Sequence, residues 1–244
     1  MKKILAAIIP CVLALGAAQA QTVVLQQDVN QDTIQSNWGP NKKHYKHFYF
    51  GYGLGIGTEN RTWNGTDVKD IKYGFGTNTL MVGWRYKLRL AEHYAIGLDV
   101  NYNRQAYRFK QTDHKVFPMP GKYDKERLAL HNFALEFYNR INFGRRGNHL
   151  GTFVDLGAYG EWNFNNSLLI EGDFGPGINR AKSYKTKLKD LNYVNDLNYG
   201  LSLRAGYDRF AIFGKYRLSD MFDDKKTGNY PELPRLHVGL QIRI

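Results

Sequence analysis

Cysteine is almost absent: the only one is Cys11. It lies in a stretch expected to be removed, so the remaining chain has neither a disulfide nor a thiol nucleophile. Pro10 directly before it, where a small residue is usual, argues against a lipid-attachment site. Long apolar runs are missing as well. Beyond the leader no stretch reaches the ~18 residues a membrane helix needs, and a mean hydropathy of -0.51 agrees, so helical spans are excluded. Acidic residues are scarce, 22 against 34 Lys and Arg, for a formal net charge of +12. Such a surplus would ordinarily suggest nucleic acid, but an exported chain does not meet that partner.

Export is what the N-terminus indicates. Lys2 and Lys3 precede an apolar run from Ile4 to Leu15, and Ala18-Gln19-Ala20 follows as a small-residue cleavage site. Residues 1–20 therefore read as a cleaved signal peptide. Residues 21–45 are mostly polar and without periodicity, a periplasmic lead-in. Within it Val23, Val24 and Leu25 offer either a short strand for a partner's sheet or plain unstructured chain.

From Phe48 the pattern changes. Phe48, Phe50, Tyr52, Leu54 and Ile56 alternate with Tyr49, Gly51, Gly53 and Gly55, which is a strand with one apolar face. The same alternation returns in seven later segments and closes the chain at Leu236, Val238, Leu240, Ile242 and Ile244. The opposite parity carries Arg85, Lys87 and Arg89, then Asp99, Glu136 and Arg140, Asp155 and Glu161, Arg204 and Asp208, Lys215 and Arg217, and Arg243. Charged residues at such regular positions face a shared interior, and apolar ones face lipid. Backbone groups in hydrocarbon must all be paired, and only a closed sheet lacks an edge. The expected fold is all-β, an eight-stranded antiparallel transmembrane β-barrel of the outer membrane over residues 46–244.

Connection lengths agree. The gaps run 58–76, 91–93, 110–127, 144–149, 165–195, 208–209 and 219–234, alternately long and short. This predicts four long extracellular loops, short periplasmic turns and both termini in the periplasm. Phe48, Tyr86, Tyr94, Phe143, Trp162, Phe164, Tyr207 and Phe210 fall near strand ends, where interfacial rings are favoured.

An eight-stranded lumen is barely wide enough for side chains, so the charged set reads either as an ion-paired plug or, less simply, as a selective pore. In the third long loop Arg180, Lys182, Lys185, Lys187 and Lys189 cluster. They are candidates for contact with lipopolysaccharide phosphates, or an ordinary solvated face.

Catalysis finds no support in the residues. His44 and His47 form a bare His-x-x-His with no further ligand at a fixed spacing. His93 and His149 sit in short turns. Ser167, Ser183 and Ser219 share the loop side with His114, but no nucleophile motif surrounds them. The expectation is a non-enzymatic protein without cofactor or metal, with outer-membrane lipid and lipopolysaccharide as its surroundings.

The leader, the Tyr/Phe–Gly first strand after a polar Asn/Gln-rich segment, the eight short strands and the closing Val-Gly-Leu-Gln-Ile-Arg-Ile resemble the small outer-membrane β-barrel proteins of the Bacteroidetes, the PorT-like family. The resemblance covers roughly 46–244. It implies an accessory or assembly role in type IX secretion of surface proteases such as gingipains, with other secretion proteins as partners of the loops or of residues 21–45. A structural or lipopolysaccharide-interacting surface barrel is the alternative. One departure is the terminal Ile244 in place of the Phe common in proteobacterial barrels.

Overall fold

The computed structural model describes residues 36–57, 62–63, 66–67, 71–111, 115, 117–144, 147–173, 183–227, 230 and 232–244. Their strands are β1 (His44–Ile56), β2 (Thr62–Trp63), β3 (Thr66–Asp67), β4 (Ile71–Arg89), β5 (Tyr94–Phe109), β6 (Lys125–Phe143), β7 (Thr152–Asp173), β8 (Ser183–Lys189), β9 (Leu197–Tyr207), β10 (Phe210–Arg217) and β11 (Leu236–Arg243). A single helical turn, α1, covers Asp224–Thr227.

Eight of these close a ring in the order β6-β5-β4-β1-β11-β10-β9-β7, with β7 returning to β6. Closure of first strand on last is in register from Tyr49 opposite Arg243 to Ile56 opposite Leu236. Every pairing in the ring is antiparallel, and no ring strand has an unpaired edge along its full length. β8 is a ninth strand that pairs with β7 alone, Ser167 opposite Lys189 through Asp173 opposite Ser183. β2 and β3 form a separate small hairpin within the first long connection.

Burial along the ring is inverted relative to a soluble domain. Phe48, Val82, Leu135, Phe137, Leu156, Leu201, Leu203, Phe210, Ile212 and Leu240 are exposed, while Arg85, Lys87, Asp99, Glu136, Arg140 and Asp155 are buried. Inward glycines make room for inward tyrosines: a Cβ on Gly97 would stand 2.2 Å from the Tyr138 ring, and one on Gly83 2.7 Å from Tyr49.

The inversion ends partway up the wall. In β5 the outward set is Ile96, Leu98, Val100 and Tyr102, then Arg104 and Arg108, while the inward set turns from Asp99, Asn101 and Asn103 to Tyr107 and Phe109. A bulge at Phe164 shifts the register between His131 and Asn132 of β6, and beyond it Leu168 and Ile170 point inward and are buried. These residues join Ile71, Phe117, Leu128, Leu130, Leu191, Val194, Met221, Phe222 and Leu233 in one apolar core that fills the ring on the side of the long connections. That half follows the ordinary rule of apolar inside and charged outside.

Two expectations need correction. The segment 165–195 is not a loop throughout: β7 runs on to Asp173 and β8 turns back along it. Likewise β4 begins at Ile71 and β6 at Lys125, inside stretches expected to be connections. The cause is the change of sign in the pattern, because a search for outward apolar parity stops where the wall turns its apolar residues inward. The start of the barrel also shifts, since His44 already belongs to β1.

Residues 36–43 fold across the short-turn rim. Trp38 bridges to His44, its ring 5.2 Å from the imidazole. Asn41 Nδ2 donates to Gly147 O at 2.6 Å. Residues 21–35 lie outside the described residues.

Candidate functional site

Alternation in β4, β5, β6, β7 and β9 aims three arginines and three carboxylates at one level of the lumen. Arg85 Nε and Nη2 donate to Asp99 Oδ2 at 2.8 and 2.6 Å. Arg140 Nε and Nη2 grip both oxygens of Asp155 at 2.6 and 2.7 Å. Arg204 joins the two pairs: its Nη1 lies 2.7 Å from Glu136 and 3.8 Å from Asp99, and its Nε donates to Asp155 at 3.1 Å. Asp99 and Glu136 sit directly opposite one another on β5 and β6. Two carboxylates so placed repel, and the Arg204 guanidinium between them removes the conflict.

Neutral donors add to the level. Tyr49 Oη donates to Asp99 Oδ1 at 2.9 Å, Asn101 Nδ2 to the same oxygen at 3.0 Å, and Ser202 Oγ to Glu136 at 2.6 Å. The Tyr138 ring stands among the cations, with Arg204, Arg140 and Arg85 at 5.0, 5.5 and 5.7 Å from its centroid. Buried charges held by bidentate bonds and aromatic faces are paid for only when every partner is present.

A second level lies nearer the long connections. Lys215 Nζ meets Glu161 Oε1 at 2.5 Å and stands 3.9 Å over the Tyr159 ring. Asn103 and Gln105 donate to the two oxygens of Glu161 at 3.1 and 3.0 Å. Above it Arg217 pairs with Glu232 at 2.6 Å, and Lys115 pairs with Glu126. Tyr193 is near this top, in the connection before β9; burial, then Tyr230 and Glu126, push its hydroxyl up to about 12.

Of the thirteen interior charges expected from the sequence, Arg85, Lys87, Asp99, Glu136, Arg140, Asp155, Glu161, Arg204, Lys215 and Arg217 are buried within the ring. The other three mark the short-turn rim instead. Arg89 donates from Nη1 to Asn41 O at 2.7 Å. Asp208 occupies the tight turn between β9 and β10 at φ 47° and accepts from Arg243 at 3.1 Å. A turn residue has no strand parity, which is why alternation misplaces Asp208. Lys87 reaches down to the carbonyl of Pro40. Glu126, Glu232 and Lys115 were not among the expected set, because Glu126 lies on the part of β6 beyond the outward apolar parity and the other two lie in connections, which have no strand parity; the charge surplus of the expected interior was the available signal that acids were missing.

The loop cations divide. Arg180 and Lys182 lie outside the described residues. Lys185, Lys187 and Lys189 are exposed on β8, a strand rather than a loop, and Lys185 pairs with Glu171 at 2.8 Å. His44 and His47 fall on opposite faces of β1, as a spacing of three in a strand requires: His44 Nδ1 contacts Tyr86 Oη at 2.7 Å, while His47 is buried. They cannot share a metal. Among the described residues no group of three or more His, Cys, Asp and Glu side chains could hold a metal ion. His114 lies outside them.

The model of the family described as "Outer membrane protein beta-barrel domain" matches residues 26–222. The chain belongs to that family. Its place is accordingly the outer membrane, with the exposed apolar band of the ring against lipid. No curated protein matches the chain. Among solved structures it is similar to Ail, the attachment invasion locus protein of Yersinia pestis, at 10% identity and a TM-score of 0.32, over 82% of this chain and 95% of that one.

Proposed function

We propose that this barrel works through its two rims and outer wall, as a non-enzymatic accessory or assembly component of protein secretion. The observation that carries the first half is the filled lumen: paired charges at successive levels and an apolar core above them leave the interior as structure. A barrel whose inside is structural presents only its rims and wall to partners.

The second half rests on the resemblance of residues 46–244 to the PorT-like barrels, which makes type IX secretion of surface proteases the pathway. Long connections face the outside of the cell and both termini the periplasm, as the alternation of long and short connections supports. Residues 21–35, which precede the strap at 36–43 in sequence, are the segment this reading gives to a secretion partner.

Deletion of the gene tests this directly. Extracellular protease should disappear from the culture supernatant while the cells keep normal detergent resistance. Unchanged secretion with raised detergent sensitivity would instead support a structural, lipopolysaccharide-interacting barrel. That second reading is favoured by one observation, the cations on the outer wall.

A further inference from the structure

Register places four cations in one row across five adjacent strands, with Leu169 at the place of the fifth. Lys72 of β4 is opposite Arg108 of β5, Arg108 opposite Arg127 of β6, Arg127 opposite Leu169 of β7, and Leu169 opposite Lys187 of β8. All lie on the outward parity. At about 4.8 Å between strands the row spans about 19 Å. Two positions nearer the membrane Arg104 stands opposite His131, beside the aromatic group of Tyr102, Phe133, Trp162 and Phe164.

Like charges directly opposite on antiparallel strands destabilise the sheet, and ordinary surfaces intersperse the signs. Here Arg108 faces Arg127 with no acid between them. Among the described residues no ion pair forms at Lys72, Arg104, Arg108, Arg127 or Lys187, although Lys125 and Lys185 one step above both engage Glu171 at 3.4 and 2.8 Å. Arg127 Nε is buried and without a hydrogen-bond partner.

The surface is also recessed. Ala106, Ala129 and Ser167 point outward between the two basic levels yet are buried, a floor of small residues beneath long cationic side chains. Next to it a cleft of about 380 Å³ is lined by four cations, Arg108, Arg127, Lys125 and Lys185, with Leu169 and the two acids Glu126 and Glu171; Glu126 is already paired with Lys115.

Height identifies the occupant. Arg127 is six residues beyond Phe133 on β6; at about 3.3 Å per residue and a tilt near 40° it stands about 15 Å above the aromatic level. At that height the lateral wall stands against the phosphorylated sugars of the outer leaflet, which are held there at far higher local concentration than a soluble anion. We propose that Arg104, Lys72, Arg108, Arg127 and Lys187 form a docking wall for lipopolysaccharide, with Arg104 at the lipid A phosphates and the upper row at the anionic inner core. This rests on the outward placement of the long connections proposed above.

The test uses the full mature protein in nanodiscs, with intact rough-type lipopolysaccharide, the same material stripped of phosphate, and inorganic pyrophosphate as probes. Intact lipopolysaccharide should bind, weaken steeply with salt, and bind at least about tenfold more weakly to the Arg108→Gln/Arg127→Gln double variant, which loses two charge-assisted contacts. Retained heat-modifiability on gels shows that the variant is folded, and Arg104→Gln provides an independent single change. Equal binding of intact and stripped lipopolysaccharide overturns the inference, as does undiminished binding by the folded double variant or tighter binding of pyrophosphate. Labelling of a Lys189→Cys variant on whole cells separates the premises. Labelling without phosphate-dependent binding overturns the wall alone, and binding without labelling overturns the outward placement and the wall with it.

Discussion

Arg204 is the residue on which the lumen turns. Among the described residues it alone touches three carboxylates, Glu136, Asp155 and Asp99, and each of the other two arginines at that level serves one. Replacing it by Met keeps most of the volume but leaves three acids to two cations, so one buried charge loses its partner. The expected cost is about 3–5 kcal/mol, read as a lowered urea midpoint for the barrel in detergent micelles. Lys215→Met should cost less, because Glu161 keeps its bonds from Asn103 and Gln105. Equal effects would show that the arginine bridge is not what sets the level.

At the scale of the strand, a single rule changes sign. Below Tyr102 and Phe133 the outward residues are apolar, and above them the inward ones are. Eight strands and the alternation of long and short connections were legible because lipid imposes outward apolar parity on every strand that crosses it. The extensions of β4, β6 and β7, the hairpin partner β8, and the acid Glu126 were not, because above the membrane the same alternation has the opposite phase and the bulge at Phe164 hides the join. Tyr107 and Phe109 against Arg104 and Arg108 carry the switch in plain sequence. The phase has a measurable consequence at two adjacent positions of β7. Leu168 is fully buried in the upper core while Leu169 faces out. Leu168→Ala should cost about 2–5 kcal/mol and Leu169→Gln less than about 0.5 kcal/mol in the same urea titration. Comparable losses at both would mean that the wall above Phe164 keeps the membrane phase.

For the whole molecule the question is whether a closed ring in the outer membrane is a passage. An ion crossing it would meet the strap at Lys87 and Pro40, then the three arginines with Asp99, Glu136 and Asp155, then Lys215 with Glu161, then Arg217 with Glu232, and finally the apolar core around Phe117 and Phe222. Each charged level is held by opposite signs, so no level offers a free site for an ion of either sign, and the core above them is filled mainly by apolar side chains. Opening one level does not open the next, since they are stacked in series. Purified protein in planar bilayers should therefore give no steady single-channel currents, and Glu161→Gln should leave that result unchanged while lowering stability. Steady currents from the unmodified protein would mean that the paired levels part in the membrane, and would move the function from the rims to the lumen.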